Sequence, residues 1–430
     1  KLAILNNYTN RASKGHYMFN LSKTITNKVV TTTEQKGPSG CSVFYQTQEC
    51  LELVNEVFRF EGWKNPECNK FSLQNEKTDS AQLQEIIILE LNQSNSVIED
   101  AKNFANLIPN HKGVIVIGQE DAITTLRGLK EMGFYYVFWP VNKQEFTDFL
   151  RHVHKNQQQF AGVSQNRKAK RVAVIGTKGG VGNSLIAIEL SSYLADNGAQ
   201  TIMVDRQYHN SNIDILLGLK KYQKHDASNL EYQLHDMDEA SANDYLTKVT
   251  DKLKILSLEG IEPIEKLVSY TNNIADLLIR HANFIIDDYS ASVDFSLDLE
   301  AIAAKNNIIV LVIEPTISSI RTAQTYLQYI ENLRSSVHTD RRILLFLNIH
   351  RPAGAFSLAQ HEIETYLDRK VDVVLPYNKM LATELLEGKR IYKQEDSTSG
   401  AITNLALTIK GKTQKVKHTP LTKIKALFNR

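Results

Sequence analysis

Short apolar runs alternate along this chain with stretches in which apolar residues recur at helical spacing. The run Ser42-Val43-Phe44-Tyr45 precedes a helical pattern over residues 50–60, and further apolar runs follow at 86–89 and 114–117. Strand alternating with helix in this way implies a parallel α/β sheet with helical crossovers. A second series begins later, with strand-like runs at 172–175, 201–204, 255–258, 284–286, 308–313, 343–347 and 371–375. Seven mainly apolar strands with intervening helices predict a doubly wound sheet covered on both faces, whose ligands bind at the carboxyl ends of the strands.

Between the two series, the stretch from Lys155 to Arg171 is polar, carries five basic residues and no acidic one, and has no apolar period. It reads as a linker. The expected organisation is therefore an extension over 1–40, a first α/β domain over 41–154, a linker over 155–170, a second α/β domain over 171–404 and a tail over 405–430. The extension shows only weak strand patterning around residues 24–33 and ends in the turn signal Gly37-Pro38-Ser39-Gly40.

Composition narrows the class without fixing it. With 430 residues, 42% of them hydrophobic, the chain can bury two or three cores. The net charge of +2 demands neither a nucleic acid nor a membrane as partner. Three cysteines, Cys41, Cys50 and Cys68, suit neither a disulfide framework nor a zinc site by number or spacing. No apolar run approaches the roughly 20 residues of a spanning helix, and the start lacks the apolar region of a signal peptide, so a cytoplasmic location is expected. The first residue is not Met, so residues can be missing at the front.

The chemistry concentrates after the first strand of the second series, in Gly176-Thr177-Lys178-Gly179-Gly180-Val181-Gly182-Asn183-Ser184. A helix follows, with Ile186, Leu190 and Leu194 on one face. Glycines let backbone N–H groups curl around phosphate oxygens, the helix N-terminus adds partial positive charge, and the Ser184 hydroxyl is placed to ligate Mg²⁺. The pattern G-x-x-x-x-G-K-[ST] is broken twice, by Thr177 at the first glycine and by Asn183 where a lysine reaches the β and γ phosphates.

The segment Lys178-Gly179-Gly180-Val181-Gly182 resembles the deviant Walker A loop of the MinD/ParA family, in which the early lysine acts across a dimer interface. A polar residue at the later lysine position is similar to what the TadZ/CpaE branch shows, the localisation proteins of Flp (Tad) pilus assembly. The resemblance spans nearly all of residues 171–395. It implies ATP and Mg²⁺ as cofactors, with Lys178, Gly179, Gly180, Val181, Gly182, Asn183 and Ser184 around the phosphates. It gives Ser184, Asp205 and Asp287 to the metal, Asp287 by its place at the tip of Phe284-Ile285-Ile286-Asp287, which has the form of a Walker B strand. Lys178, Asp205 and Asp287 are accordingly the candidates for catalysis, and Arg321, Asn348 and Pro376 are the expected contacts to the base. Each of these last three alone could equally be a cap or a turn residue. Where the family carries an Asp-x-Asp pair, the second member here is Gln207, which supplies no negative charge to activate water. Losing one phosphate lysine removes a contact worth about 1.5–3 kcal/mol, so binding survives more easily than turnover.

Residues 41–154 resemble a response-regulator receiver domain, most clearly around Gly133 to Val141. Trp139 takes the place of the receiver lysine, Gly118 that of Ser or Thr, and Glu90 that of the phosphorylated Asp, while Gln46 and Thr47 replace the acidic metal-binding pair. Phosphorylation in the usual way is not expected. Glu90 reads either as a fixed mimic of the phosphorylated state or as an inert carboxylate at the core edge. A receiver-like domain before a deviant ATPase domain is the arrangement of TadZ/CpaE proteins.

Residues 405–430 carry seven Lys or Arg and no Asp or Glu, with Leu421, Ile424, Leu427 and Phe428 at helical spacing. Such a helix can lie weakly on an anionic membrane, cap a domain or bind a partner. Together these readings predict a homodimeric, ATP-binding scaffold with little or no hydrolysis. It would sit at the cell pole or the inner-membrane face, with the pilus secretion ATPase and other Tad components as partners. The alternative is a positioning ATPase of the ParA/MinD kind that cycles by hydrolysis. No DNA-binding module is recognisable, so no nucleic-acid partner is expected.

Overall fold

Two parallel sheets carry the fold in the computed structural model, which describes residues 37–38, 40–71, 83–110, 112–159, 168–209, 211–220, 222–290, 297–336, 341–394 and 397–411. The first sheet contains β1 (Cys41–Tyr45), β2 (Glu67–Lys70), β3 (Ile86–Glu90), β4 (Gly113–Gly118) and β5 (Tyr135–Phe138) in the order β2-β1-β3-β4-β5, the flavodoxin-like order. Its central strands are buried on both sides. Val43, Ile86, Ile88 and Ile115 face the helices Gln48–Phe60 and Lys143–Gln159, and Phe44, Ile87, Leu89 and Val116 face the helix Val97–Ala105. The edge strand β2 has four exposed residues, Glu-Cys-Asn-Lys, and so has no apolar pattern to announce it.

The second sheet holds β6 (Lys170–Gly176), β7 (Thr201–Asp205), β8 (His225–Asp226), β9 (Leu246–Lys248), β10 (Leu253–Glu259), β11 (Phe284–Tyr289), β12 (Ile308–Ile313), β13 (Arg342–Asn348) and β14 (Val373–Leu375). The order is β14-β13-β12-β6-β11-β7-β10-β8, and β9 pairs antiparallel with β10. All seven expected strands are present. The two extra ones, β8 and β9, are only two and three residues long, too short for periodicity to register.

The helix after β6, Asn183–Asp196, is buried along most of its length. Within it, Glu189 is fully buried. Its carboxylate accepts hydrogen bonds from the backbone N–H of Ile391 at 2.8 Å and from Arg390 at 3.3 Å, fastening the helix to the C-terminal segment. Two expected boundaries shift. The helix Lys143–Gln159 runs into the expected linker, and the helix Ser397–Lys410 crosses position 404. Leu405, Ala406 and Ile409, assigned from sequence to the tail, belong instead to the core around the phosphate-loop helix. The stretch from 421 to 428 and the weak strand pattern near 24–33 lie outside the described residues. No helix among the described residues is long and apolar enough to cross a membrane.

The described residues from Pro38 onward form one compact unit, and the two sheets meet at Asn283, just ahead of β11. Its Oδ1 accepts from the Gln200 N–H at 2.8 Å, while its Nδ2 donates to the Ile108 carbonyl of the first domain at 2.5 Å. Asn110 returns the contact by donating to the Ala282 carbonyl. Removing this amide leaves buried backbone groups unpaired on both sides, so Asn283→Ala is expected to cost about 1–3 kcal/mol. Both tryptophans, Trp63 and Trp139, lie in the first domain, so urea unfolding followed by their fluorescence should show that domain released earlier in the variant. An unchanged midpoint would rule out the joint.

Candidate functional site

The phosphate loop leaves β6 at Gly176 and enters its helix at Asn183. Gly180 and Gly182 adopt φ of 75° and 102°, conformations that a side chain would strain. Close packing fixes the rest. A Cβ on Gly176 would come within 2.6 Å of the Asn183 side chain, and one on Gly182 within 2.6 Å of Asn348 Nδ2. Lys178 is half-buried, Gly179 and Gly180 are exposed, and Val181 is buried beneath the loop.

Side chains hold the loop from three directions. The Thr177 hydroxyl lies 2.6 Å from that of Ser319, which also accepts the Glu314 N–H at 3.0 Å, tying the loop to the end of β12. Asn348, at the tip of β13, donates to the Val181 carbonyl at 2.9 Å. It therefore supports the loop, a contact sequence reasoning missed in assigning it to the base. Asn183 is buried and donates to the Tyr289 carbonyl at 3.0 Å. Its amide turns inward to β11, which leaves its backbone N–H as the group it can offer a phosphate. Arg321, exposed on the helix Ile317–Ser336, and Pro376, half-buried after β14, stand at the same carboxyl edge of the sheet.

The carboxylates sort by the two-residue period of β11. Phe284 and Ile286 pack on the phosphate-loop helix, whereas Ile285 and Tyr289 pack on the opposite face. Asp287 falls on that opposite face, which corrects its assignment to the metal. It is fully buried, with Oδ1 accepting from Arg206 at 2.5 and 2.9 Å and Oδ2 from Arg171 at 3.2 Å. Burial alone would raise its pKa, but the two guanidinium groups hold it below the usual carboxylate range.

Asp288 takes the position that sequence gave to its neighbour. It lies beside Asp205 in register, and its Oδ1 accepts from Ser290 Oγ at 2.8 Å, which in turn lies 2.7 Å from Ser184 Oγ. Burial, with the Asp205 carboxylate adding to it, pushes Asp288 up to about 7. Asp205 itself accepts from Ser257 at 2.8 Å and from the Gln207 N–H at 2.9 Å, with Lys224 at 3.6 Å. Ser184, Asp205 and Asp288 thus form a set of hard oxygen donors at the loop, a fit for Mg²⁺ completed by phosphate and water. The Gln207 carbonyl is engaged by Lys224.

Lys178 is held in an ion pair by Glu314, a buried carboxylate that also faces His350 at 3.4 Å. Burial would raise the Glu314 pKa, but hydrogen bonds from Lys178 and Thr316 keep it low.

In the first domain, the receiver-like acid site is closed by its own residues. Glu90, fully buried, accepts from the Gln46 N–H at 2.7 Å, the Thr47 N–H at 2.9 Å, Thr47 Oγ1 at 2.5 Å and Asn92 at 2.7 Å. The carboxylate thereby fastens the loop after β1 to the tip of β3. Gly118 makes room for Tyr136, whose hydroxyl would lie 2.8 Å from a Cβ there. Trp139 and Pro140 are joined by a cis peptide bond.

A family model described as the CobQ/CobB/MinD/ParA nucleotide binding domain matches residues 172–391. An uncharacterized protein of Methanocaldococcus jannaschii is 22% identical over 244 residues, spanning 54% of this chain and 93% of its own length. Among solved structures, the MinC:MinD cell division protein complex of Aquifex aeolicus is similar at 20% identity, over 58% of this chain and 99% of that one, with a TM-score of 0.46. A ParA family ATPase from Chlorobium tepidum TLS is similar at 20% identity over 56% and 98%, with a TM-score of 0.45.

The two neighbouring aspartates should respond differently to replacement. Asp287→Ala leaves two guanidinium groups buried without their carboxylate and is expected to cost about 3–5 kcal/mol in urea unfolding. Asp288→Asn should be tolerated and should alter pH dependence instead. Between about pH 4 and about pH 7 the folded metal-free chain retains a proton on Asp288 that the unfolded chain has lost, so stability falls as pH rises across that window. The slope should flatten in the variant. Severe destabilisation by Asp288→Asn at every pH, with Asp287→Ala neutral, would reverse the face assignment.

Proposed function

The chain belongs to the CobQ/CobB/MinD/ParA nucleotide-binding family through residues 172–391, and from that premise we propose that it is an ATP·Mg²⁺-binding scaffold that holds its nucleotide far more than it splits it. The observation that carries this reading is the inward turn of Asn183. The side chain in the place of the phosphate lysine is neutral, and its donor is taken by the Tyr289 carbonyl, so it offers a transferring phosphoryl group neither charge nor that hydrogen bond. Phosphoryl transfer depends on charge stabilisation and an oriented water. Gln207 supplies no carboxylate for the second of these.

Binding has better support. The positive-φ glycines, the N-terminus of a buried helix, and the Ser184, Asp205 and Asp288 oxygens provide what a Mg²⁺-bound polyphosphate needs. Lys178 is the residue for the trans contact in a homodimer, and it must leave Glu314 to make it. The biological role we assign is localisation and scaffolding for Flp (Tad) pilus assembly at the pole or inner-membrane face. The receiver-like domain would contact other components of the machinery, the secretion ATPase among them. The retained metal-side oxygens favour the second reading, a cycling ParA/MinD-type positioning ATPase.

Calorimetric titration with ATP·Mg²⁺, together with molar mass by light scattering, is expected to show binding and a doubling of mass for the intact chain. For Lys178→Ala, binding should persist with little dimer. Steady-state phosphate release should stay far below the ~10 s⁻¹ of a median enzyme. A robust rate would favour the cycling ATPase, and absence of ATP binding would overturn both readings.

A further inference from the structure

Where the two sheets meet, a cavity of about 400 Å³ opens beside the Asn283 joint, and its walls are strongly basic. Lys102 reaches it from the helix Val97–Ala105 of the first domain, Lys168 from the end of the linker, Lys170 from the start of β6 and Lys410 from the last turn of the helix Ser397–Lys410. These four ammonium groups come from three separate segments, with Lys168 and Lys170 both in the basic stretch that leads into β6, so the fold adds Lys102 and Lys410 to that stretch. Glu131 is the one carboxylate among the described lining residues, and the amides of Asn106, Asn110 and Asn283 supply neutral polar contacts.

Gathering like charges in a partly buried space is unfavourable. Burial lowers the Lys170 pKa, and the nearby Arg342 and Lys102 lower it further. Lys170 Nζ reaches the Ile409 carbonyl at 3.5 Å, a neutral acceptor that leaves its charge in place. An anion in the cavity would relieve the repulsion. Lysines are flexible point-charge donors suited to phosphate, and four of them exceed what one carboxylate requires.

We propose that this interdomain cavity binds a small, soluble, multiply phosphorylated molecule, which bridges Lys102 of the first domain to the lysines of the second. The site is separate from the phosphate loop and shares no residue with it. A ligand held there favours the docked arrangement of the two domains, because its contacts exist only when both walls are present.

Inorganic tripolyphosphate is the probe, titrated by calorimetry into the full chain, into Lys102→Gln/Lys168→Gln, and into the control Lys64→Gln/Lys220→Gln of equal net charge. Both Lys102 and Lys168 are exposed, so the variant should fold normally by circular dichroism. The proposal expects tripolyphosphate affinity to fall at least about tenfold in the cavity variant and to hold in the control. ATP·Mg²⁺ affinity should be the same in all three. Equal tripolyphosphate binding by all three chains, an equal loss in both variants, or no binding by the intact chain overturns it. Flotation with phosphatidylglycerol vesicles separates the lipid source: vesicle capture that needs Lys102 and Lys168, without tripolyphosphate binding, also overturns it.

Discussion

The second domain is organised around one buried carboxylate, Asp287, and the two arginines that meet it. It sits on β11, the strand between β6 and β7, and takes one guanidinium from each side: Arg171 on β6 and Arg206 just past β7. Three adjacent strands are thereby pinned in one register. Arg171 extends the cluster to Asp276 at 2.6 Å, and Arg206 stacks over the Tyr289 ring at 4.8 Å. A slip of one residue along β11 would bury Asp288 among the arginines and turn Asp287 toward the phosphate loop. The ion cluster lies on the face away from the nucleotide loop, yet it determines which carboxylate faces that loop.

That constraint also explains which parts of the site could be read from sequence. The seven long strands are continuous apolar runs because both faces of the sheet are covered, and such runs stand out in any sequence. The same double coverage hides the faces. With Phe284, Ile285 and Ile286 all apolar, no alternation indicates which of Asp287 and Asp288 points to the loop. The informative partners, Arg171 and Arg206, lie 116 and 81 residues from Asp287 in sequence. Asn183 poses a similar difficulty. Its replacement of a lysine is plain, but whether a short amide points at a ligand or back at β11 depends on a carbonyl 106 residues away.

In the first domain, the substitutions at the receiver positions read in sequence as a list of losses, and the geometry joins them into one arrangement. Glu90 is one methylene longer than the aspartate of the receiver pattern it resembles, and its carboxylate reaches the N–H groups after β1 and the hydroxyl of Thr47 together. Thr47 also caps the following helix by accepting from the Cys50 N–H at 3.3 Å. The two alternatives for Glu90 thus share a physical basis: a carboxylate at the core edge holds the loop after β1 against the tip of β3 by hydrogen bonds alone.

A comparable replacement of ligand contacts by side chains governs the nucleotide loop. Thr177, Asn183 and Asn348 each use a polar group to fix a backbone segment of the loop, at Ser319, Tyr289 and Val181 respectively. A loop shaped this way requires little reordering when a phosphate arrives, which favours binding. The same bonds withdraw the Asn183 amide from the reacting phosphate, where a lysine would supply charge. A rigid loop and an amide turned toward β11 are therefore one structural choice, and the proposed preference for holding a nucleotide over splitting it rests on both.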